Sequence, residues 1–218
     1  MKDQADDDQQ DVSFYYTIPK PSAAEVKVRG SRFIALAFPV ASASDCEEIL
    51  RHQRRKYHDA THVCFACRIG LGDRALRRSS DAGEPAGTAG QPILLAIEGR
   101  KLTDVLVVVV RYFGGTKLGI GGLIRAYGEA AARALEAAGR IQKEILATLQ
   151  LRFSYDLLQP VMRELSAREG RIVRQEYGEH VELTVTVPIL SADRLRRNLT
   201  DITSGKIEVL AENRNAAS

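Results

Sequence analysis

The run Val105-Leu106-Val107-Val108-Val109-Val110 constrains this chain more than any other segment. β-Branched residues pack well on a pleated surface, and an apolar run this short reads as a strand rather than a helix. Apolar residues do not alternate with polar ones here, so both faces of that strand must be covered. Asp104–Phe113 is therefore read as a strand in a sheet with layers on either side. It runs into Gly114-Gly115-Thr116-Lys117-Leu118-Gly119-Ile120-Gly121-Gly122 and then into an Ala-rich helix, Leu123–Ala138, stopped by Gly139.

The surrounding pattern predicts an α+β fold. Phe14–Ile18 has strand composition, Glu25–Arg29 alternates before a turn at Gly30, and Ser31–Val40 is another strand. A helix opens near Ser44, a suitable N-cap followed by Asp45, Glu47 and Glu48, and aligns Cys46, Ile49, Leu50, Gln53 and Tyr57 on one face. Thr61–Ile69 is a strand. Gly70–Gly90 is a long loop region with a short strand at Leu76–Ser80, and Gln91–Glu98 is helical with Pro92 in its first turn. The second half reads strand Leu146–Ser154, helix Leu158–Glu169, strand Arg171–Tyr177, turn Gly178-Glu179, strand Val181–Val187, helix Ala192–Thr203 and strand Lys206–Ala211. That order, β-α-β-β-α-β, is ferredoxin-like. The expected organisation is a disordered acidic tail over residues 1–12, an N-terminal domain over 13–139 and a ferredoxin-like C-terminal domain over 144–213.

At 218 residues, 44% apolar and 27% charged, the composition is globular, and the net charge of +3 conceals an asymmetry. Residues 1–11 carry five acids against Lys2, whereas residues 12–138 carry 18 basic and 12 acidic side chains, a net of +6. The opening residues lack the apolar stretch of an export signal, and Val105–Val110 is far short of the ~20 residues that cross a bilayer. Three cysteines make no disulfide framework. A cytoplasmic protein without membrane contact is the expectation.

The glycine segment concentrates the candidate chemistry. Gly114, Gly115, Gly119, Gly121 and Gly122 let backbone N–H groups converge without Cβ clashes, and the start of the next helix points its free N–H groups the same way. Arg111, Lys117 and Arg125 place a cation before, within and after it, and Thr116 adds a hydroxyl. It is not a nucleotide phosphate loop, lacking the Gly-Lys-Ser/Thr, nor a dinucleotide G-x-G-x-x-G, since position 124 is Ile. The alternative is that the glycines only let the Ala-rich helix pack closely on the strand.

A second loop, Ser79–Gly90, joins Asp81, Glu84 and Thr88 to three glycines. Asp81 and Glu84 suit acid–base catalysis or a hard metal. The favoured alternative is that Asp81 organises an Asx-type turn, Thr88 caps the next helix and Glu84 pairs with an arginine. His62 can face this loop as an acid–base group. His58 and His62 have zinc-like spacing only on a helix, and Thr61–Ile69 reads as a strand. Cys64 and Cys67 fall on opposite faces of that strand and serve as small apolar fillers. Nothing in these patterns calls for a metal or a cofactor. The cations Arg51, Arg54, Arg55 and Lys56, with Arg74, Arg77 and Arg78, extend a basic character suited to phosphates. Scarce aromatics and the lack of tryptophan argue against a base-stacking platform.

Lys27-Val28-Arg29-Gly30-Ser31-Arg32-Phe33-Ile34, Ala60-Thr61-His62, Asp81 through Gly90 and Arg111 through Tyr127 together resemble the IMPACT protein family, in particular its bacterial YigZ branch. The resemblance spans roughly residues 14–138, and the C-terminal β-α-β-β-α-β pattern resembles the small domain that follows in that branch. It implies a first domain like the second domain of ribosomal protein S5 and a second like the ferredoxin-like fifth domain of the translocase elongation factor. Both point toward translation. Two departures stand out. The family usually carries a second acid where this chain has Ala82, which disfavours a site of paired carboxylates. Eukaryotic members regulate translation through an extra N-terminal module, whose place is taken here by the acidic tail.

The leading expectation is a non-enzymatic protein that binds RNA or the ribosome, with a translation factor as a further partner. Arg111, Lys117 and Arg125 with the Gly114–Gly122 backbone would contact phosphates, and Arg54 and Arg55 would assist. The alternative is an enzyme acting on a phosphorylated or other anionic small substrate, with His62, Asp81 or Glu84 moving a proton. A protein-binding scaffold would instead show an exposed apolar patch. The oligomeric state is not legible.

Overall fold

The valine run lies in the middle of a five-stranded antiparallel sheet. The computed structural model describes residues 13–216, so the acidic tail expected over 1–12 lies outside the described residues. The strands and helices are β1 (Phe14–Thr17), β2 (Ser22–Val28), β3 (Ser31–Pro39), α1 (Ala43–Lys56), β4 (His62–Ile69), β5 (Leu76–Ser80), α2 (Gly90–Glu98), β6 (Val105–Tyr112) and α3 (Gly119–Ala138). There follow β7 (Ile141–Phe153), α4 (Leu158–Ala167), β8 (Arg171–Tyr177), β9 (Val181–Pro188), α5 (Ile189–Ile202) and β10 (Glu208–Ala216). Among the described residues the chain divides into two compact units, one over 16–142 and one over 143–216 together with 13–15.

In the first unit the strand order is β2-β3-β6-β4-β5. β6 is central, and Val105 through Val110 are fully buried because helices cover both faces, as the unbroken apolar run requires. On one face, Val105, Val107 and Val109 pack with Phe33, Cys64, Ile93, Ile97 and the alanines of α3, whose small side chains let the helix approach the sheet. On the other, Leu106, Val108 and Val110 pack with Cys46 and Leu50 of α1, and with Phe65 and Cys67. Cys64 and Cys67 thus belong to opposite faces, as their strand spacing predicts.

In the second unit β7 lies between β10 and β9, with β8 outside β9, all antiparallel. This is the ferredoxin-like arrangement, and α4 and α5 pack against the alternate residues Leu149, Leu151, Leu183 and Val185.

Three local expectations are corrected. α1 is capped by Ser42, not Ser44: the Ser42 hydroxyl accepts the Asp45 N–H while the Asp45 carboxylate accepts the Ser42 N–H, a reciprocal capping box. α3 begins at Gly119, a full turn before Leu123, because packing of the helix overrides the poor intrinsic propensity of glycine. β1, expected to open the first domain, pairs with β7 in the sheet of the second. Its edge position was invisible in a stretch whose composition says only strand.

Candidate functional site

Four segments far apart in sequence end at one rim of the first sheet. Arg111, near the end of β6, is the register partner of Phe33 on one side and His62 on the other. Ser80, closing β5, pairs with Phe65 of β4. The turn Arg29-Gly30 joins β2 to β3 beside them, both residues at positive φ (45° and 82°). Gly114 lies on that turn: a Cβ there would stand 1.9 Å from the carbonyl carbon of Gly30. Its N–H donates to Ser31 Oγ at 3.1 Å, and the Phe113 N–H donates to Thr61 Oγ1 at 3.0 Å. The close approach that requires glycine is therefore loop against turn, rather than helix against strand as the packing alternative held.

Behind the rim lies a buried polar cluster. The Arg111 guanidinium donates to Glu84 Oε1 at 2.6 Å, and the Tyr127 hydroxyl donates to the same oxygen at 2.7 Å. The two side chains of the ion pair are only 7% and 3% exposed. The guanidinium also lies 5.5 Å from the centre of the Phe33 ring and 5.6 Å from that of Phe113, and Phe33 meets Tyr127 edge-on at 5.1 Å. Burial pushes the Tyr127 hydroxyl well above the usual range and the Cys64 thiol up to about 12, so both keep their protons at neutral pH. The Cys64 thiol donates to the Asp81 carbonyl at 2.9 Å.

The acidic loop closes over this cluster. Asp81 accepts N–H groups from Gly87 (2.9 Å), Ala89 (2.9 Å) and Gly90 (2.8 Å), capping α2 from across the loop. Burial alone would raise the Asp81 carboxyl, but these backbone donors outweigh it and hold it below the usual range. The expected helix cap, Thr88, instead donates its hydroxyl to the Pro85 carbonyl. His62 lies with Nδ1 2.9 Å from the Ala82 carbonyl, which can only accept, so that nitrogen carries a proton; Nε2 stands 3.9 Å from Glu84 Oε2. Of the three candidate acid–base groups, Asp81 is spent on a helix terminus and Glu84 on an ion pair. His62 remains partly open, its side chain 20% exposed.

Arg111, expected to contact phosphates, is instead interior and bound to Glu84. Lys117 and Arg125 are exposed cations at the rim, as is Arg29 on the turn, and no ion pair or side-chain hydrogen bond engages any of the three among the described residues. In this segment Gly115 and Gly119 hold φ of 86° and 71°, and α3 starts with no acidic residue in its first turn and no side-chain cap. Thr116, Gly119 and Gly121 are exposed as well, and Gly122 is half-buried against Leu118. Phe113, Ile120 and Ile124 add exposed apolar surface. Arg54 and Arg55, in the last turn of α1, are exposed at the same end of the sheet but on its other face. Among the described residues no three His, Cys, Asp or Glu side chains converge as a metal would need. Sequence reasoning gave Tyr127 no role; its signal was a lone polar-tipped aromatic on the otherwise Leu/Ala face of α3.

An α+β protein whose first unit gathers four chain segments around a buried Glu–Arg–Tyr cluster, followed by a ferredoxin-like unit, is the class that fold and rim define. The Impact N-terminal domain matches residues 29–135, and a domain of unknown function (DUF1949) matches residues 151–206. IMPACT family member YvyE of Bacillus subtilis (strain 168) is 32% identical over 195 residues, covering 89% of each chain. IMPACT family member YigZ of Escherichia coli (strain K12) is 32% identical over 192 residues, 88% of this chain and 94% of the relative. A solved structure described as the crystal structure of an hypothetical protein superposes with a TM-score of 0.71 at 30% identity, covering 92% of this chain and 98% of that one. The chain belongs to the IMPACT family, in the branch of YigZ, as its motifs predict.

Proposed function

We propose that this protein binds RNA or the ribosome in the cytoplasm, without catalysis, in a role linked to regulation of translation. Lys117 and Arg125, with the backbone of Gly114–Gly122, are the phosphate contacts. The observation that carries this reading is the contrast among arginines and lysines. Arg32, Arg77, Arg78 and Arg133 are each matched to a glutamate, whereas Lys117 and Arg125 flank an uncapped helix start and make no ion pair among the described residues. Anions are favoured at such a terminus, and two unmatched cations strengthen the preference. The net charge of +6 over residues 12–138 supports it. Arg111 serves the scaffold instead, and Arg54 and Arg55 are contacts only for a ligand large enough to pass around the sheet edge. The link to translation rests on what the family resemblance implies for eukaryotic members. Exposed Phe113, Ile120 and Ile124 suit a protein component of the same partner.

Binding to ribosomal subunits, structured RNA and duplex DNA across a salt series tests it. Lys117→Ala is expected to weaken binding to all RNA sequences alike and lower the salt slope by about one unit. Unchanged affinity would remove the reading. The enzyme alternative keeps one specific observation, the partly exposed His62 ring facing Glu84. It is supported only if turnover of an anionic substrate disappears in His62→Asn while the anion still binds.

A further inference from the structure

On the face of the first sheet covered by α1, two of the three cysteines meet in a place the proposed RNA-binding surface does not use. Cys46 lies in the first half of α1 and Cys67 in β4, both buried in one cluster with Leu50, Phe65 and Leu106. Their approach is fixed from two sides. Cys67 is the register partner of Arg78 on β5, and the Arg78 guanidinium reaches back 2.6 Å to Glu47, the residue that follows Cys46. The two thiols are near enough that each shifts the acidity of the other. Cys64, on the opposite face, is isolated from both and bound to the Asp81 carbonyl.

We infer that Cys46 and Cys67 form an oxidisable dithiol, a modification site at which a hydroperoxide converts the pair to a disulfide joining α1 to β4. In the first step the Cys67 thiolate attacks one peroxide oxygen, the O–O bond breaks, and the second oxygen leaves as water or an alcohol after taking a proton. In the second the Cys46 sulfur attacks the resulting sulfenic acid, the S–S bond forms, and the sulfenic oxygen leaves as water with the Cys46 proton. Two electrons pass from the sulfurs to the peroxide. The adjoining Cys46 thiol and the nearby Arg78 charge both favour thiolate on Cys67, while the adjoining Cys67 and burial keep the proton on Cys46. One nucleophile and one resolving thiol are thereby distinguished. The exposed Glu47–Arg78 pair is the only ion pair spanning the site among the described residues, so local opening there admits the small oxidant.

The test treats the reduced full chain with hydrogen peroxide under native conditions, followed by alkylation in denaturant and peptide mapping. Two of the three thiols are expected to be lost together, the peptides of Cys46 and Cys67 to be recovered as one linked species, and dithiothreitol to restore both. Cys64 remains free to alkylate. In Cys46→Ala, which keeps a small apolar side chain, Cys67 is expected to accumulate as a sulfenic acid trapped by dimedone. A disulfide involving Cys64, cross-links between chains, or survival of every thiol at a dose that oxidises Met162 would each overturn the inference.

Discussion

Gly114 and Gly30 meet backbone to backbone, so what the rim demands of position 114 is the absence of a side chain. Gly114→Ala is expected to cost at least about 3 kcal/mol in urea denaturation, because neither neighbouring backbone can yield. A variant as stable as the parent chain would show that the turn and the loop are not held together. Glu84 is demanding for a different reason. Its carboxylate is the counter-charge of a guanidinium 93% removed from water, and the same oxygen takes the Tyr127 proton. Glu84→Gln leaves Arg111 charged, buried and without a full partner, which costs about 3–5 kcal/mol. If that variant loses RNA binding, a thermal melt must be read first, since loss of the scaffold and loss of a contact look alike in a binding assay.

Asp81 governs an element rather than a contact. α2 begins at Gly90 with an N-cap, Ala89, that has no side chain able to cap, and the carboxylate eight residues upstream of that alanine supplies the missing acceptor. Because its folded-state pKa is held below the unfolded value of about 3.9, its contribution is complete above that pH and fades as pH falls through the lower folded value. Asp81→Ala is expected to destabilise the chain by about 1–2 kcal/mol near neutral pH, with the difference shrinking as the buffer is taken below pH 4. A gap that stays constant down to acid unfolding would contradict the capping role. Element order and type were largely legible: the valine run, the Ala-rich helix, the β-α-β-β-α-β tail and the short strand Leu76–Ser80 follow from periodicity, composition and glycine stops. Boundaries at glycine were not. Gly119, Gly121 and Gly122 read as loop from propensity, yet they form the first turn of α3 because Leu123, Ala126 and Tyr127 anchor the helix in the interior.

The N-terminal strand is the point where the molecule departs most from the order of its sequence. Tyr15 is buried and Ser13 accepts the Ile145 N–H at 2.8 Å, so these first described residues complete the sheet of the second unit. Deleting residues 1–15 is expected to speed amide exchange in β7, at Ile145 above all, while Val105–Val110 keep their protection. Faster exchange in β6 with β7 unchanged would reverse the assignment.

Local pattern alone establishes that β6 must be covered on both faces, that a glycine-rich turn leads into a helix, and that the second half has ferredoxin-like order. These are consequences of short-range periodicity and backbone freedom, which each segment carries alone. Which cation is spent and which is free is set by long-range packing. Arg111 and Lys117 are equally basic in the sequence, but strand order brings Glu84 and Tyr127 to the first and, among the described residues, no ion-pair partner to the second. A charge's role depends on its partner and its solvent, and both are set by neighbours that lie far away along the chain.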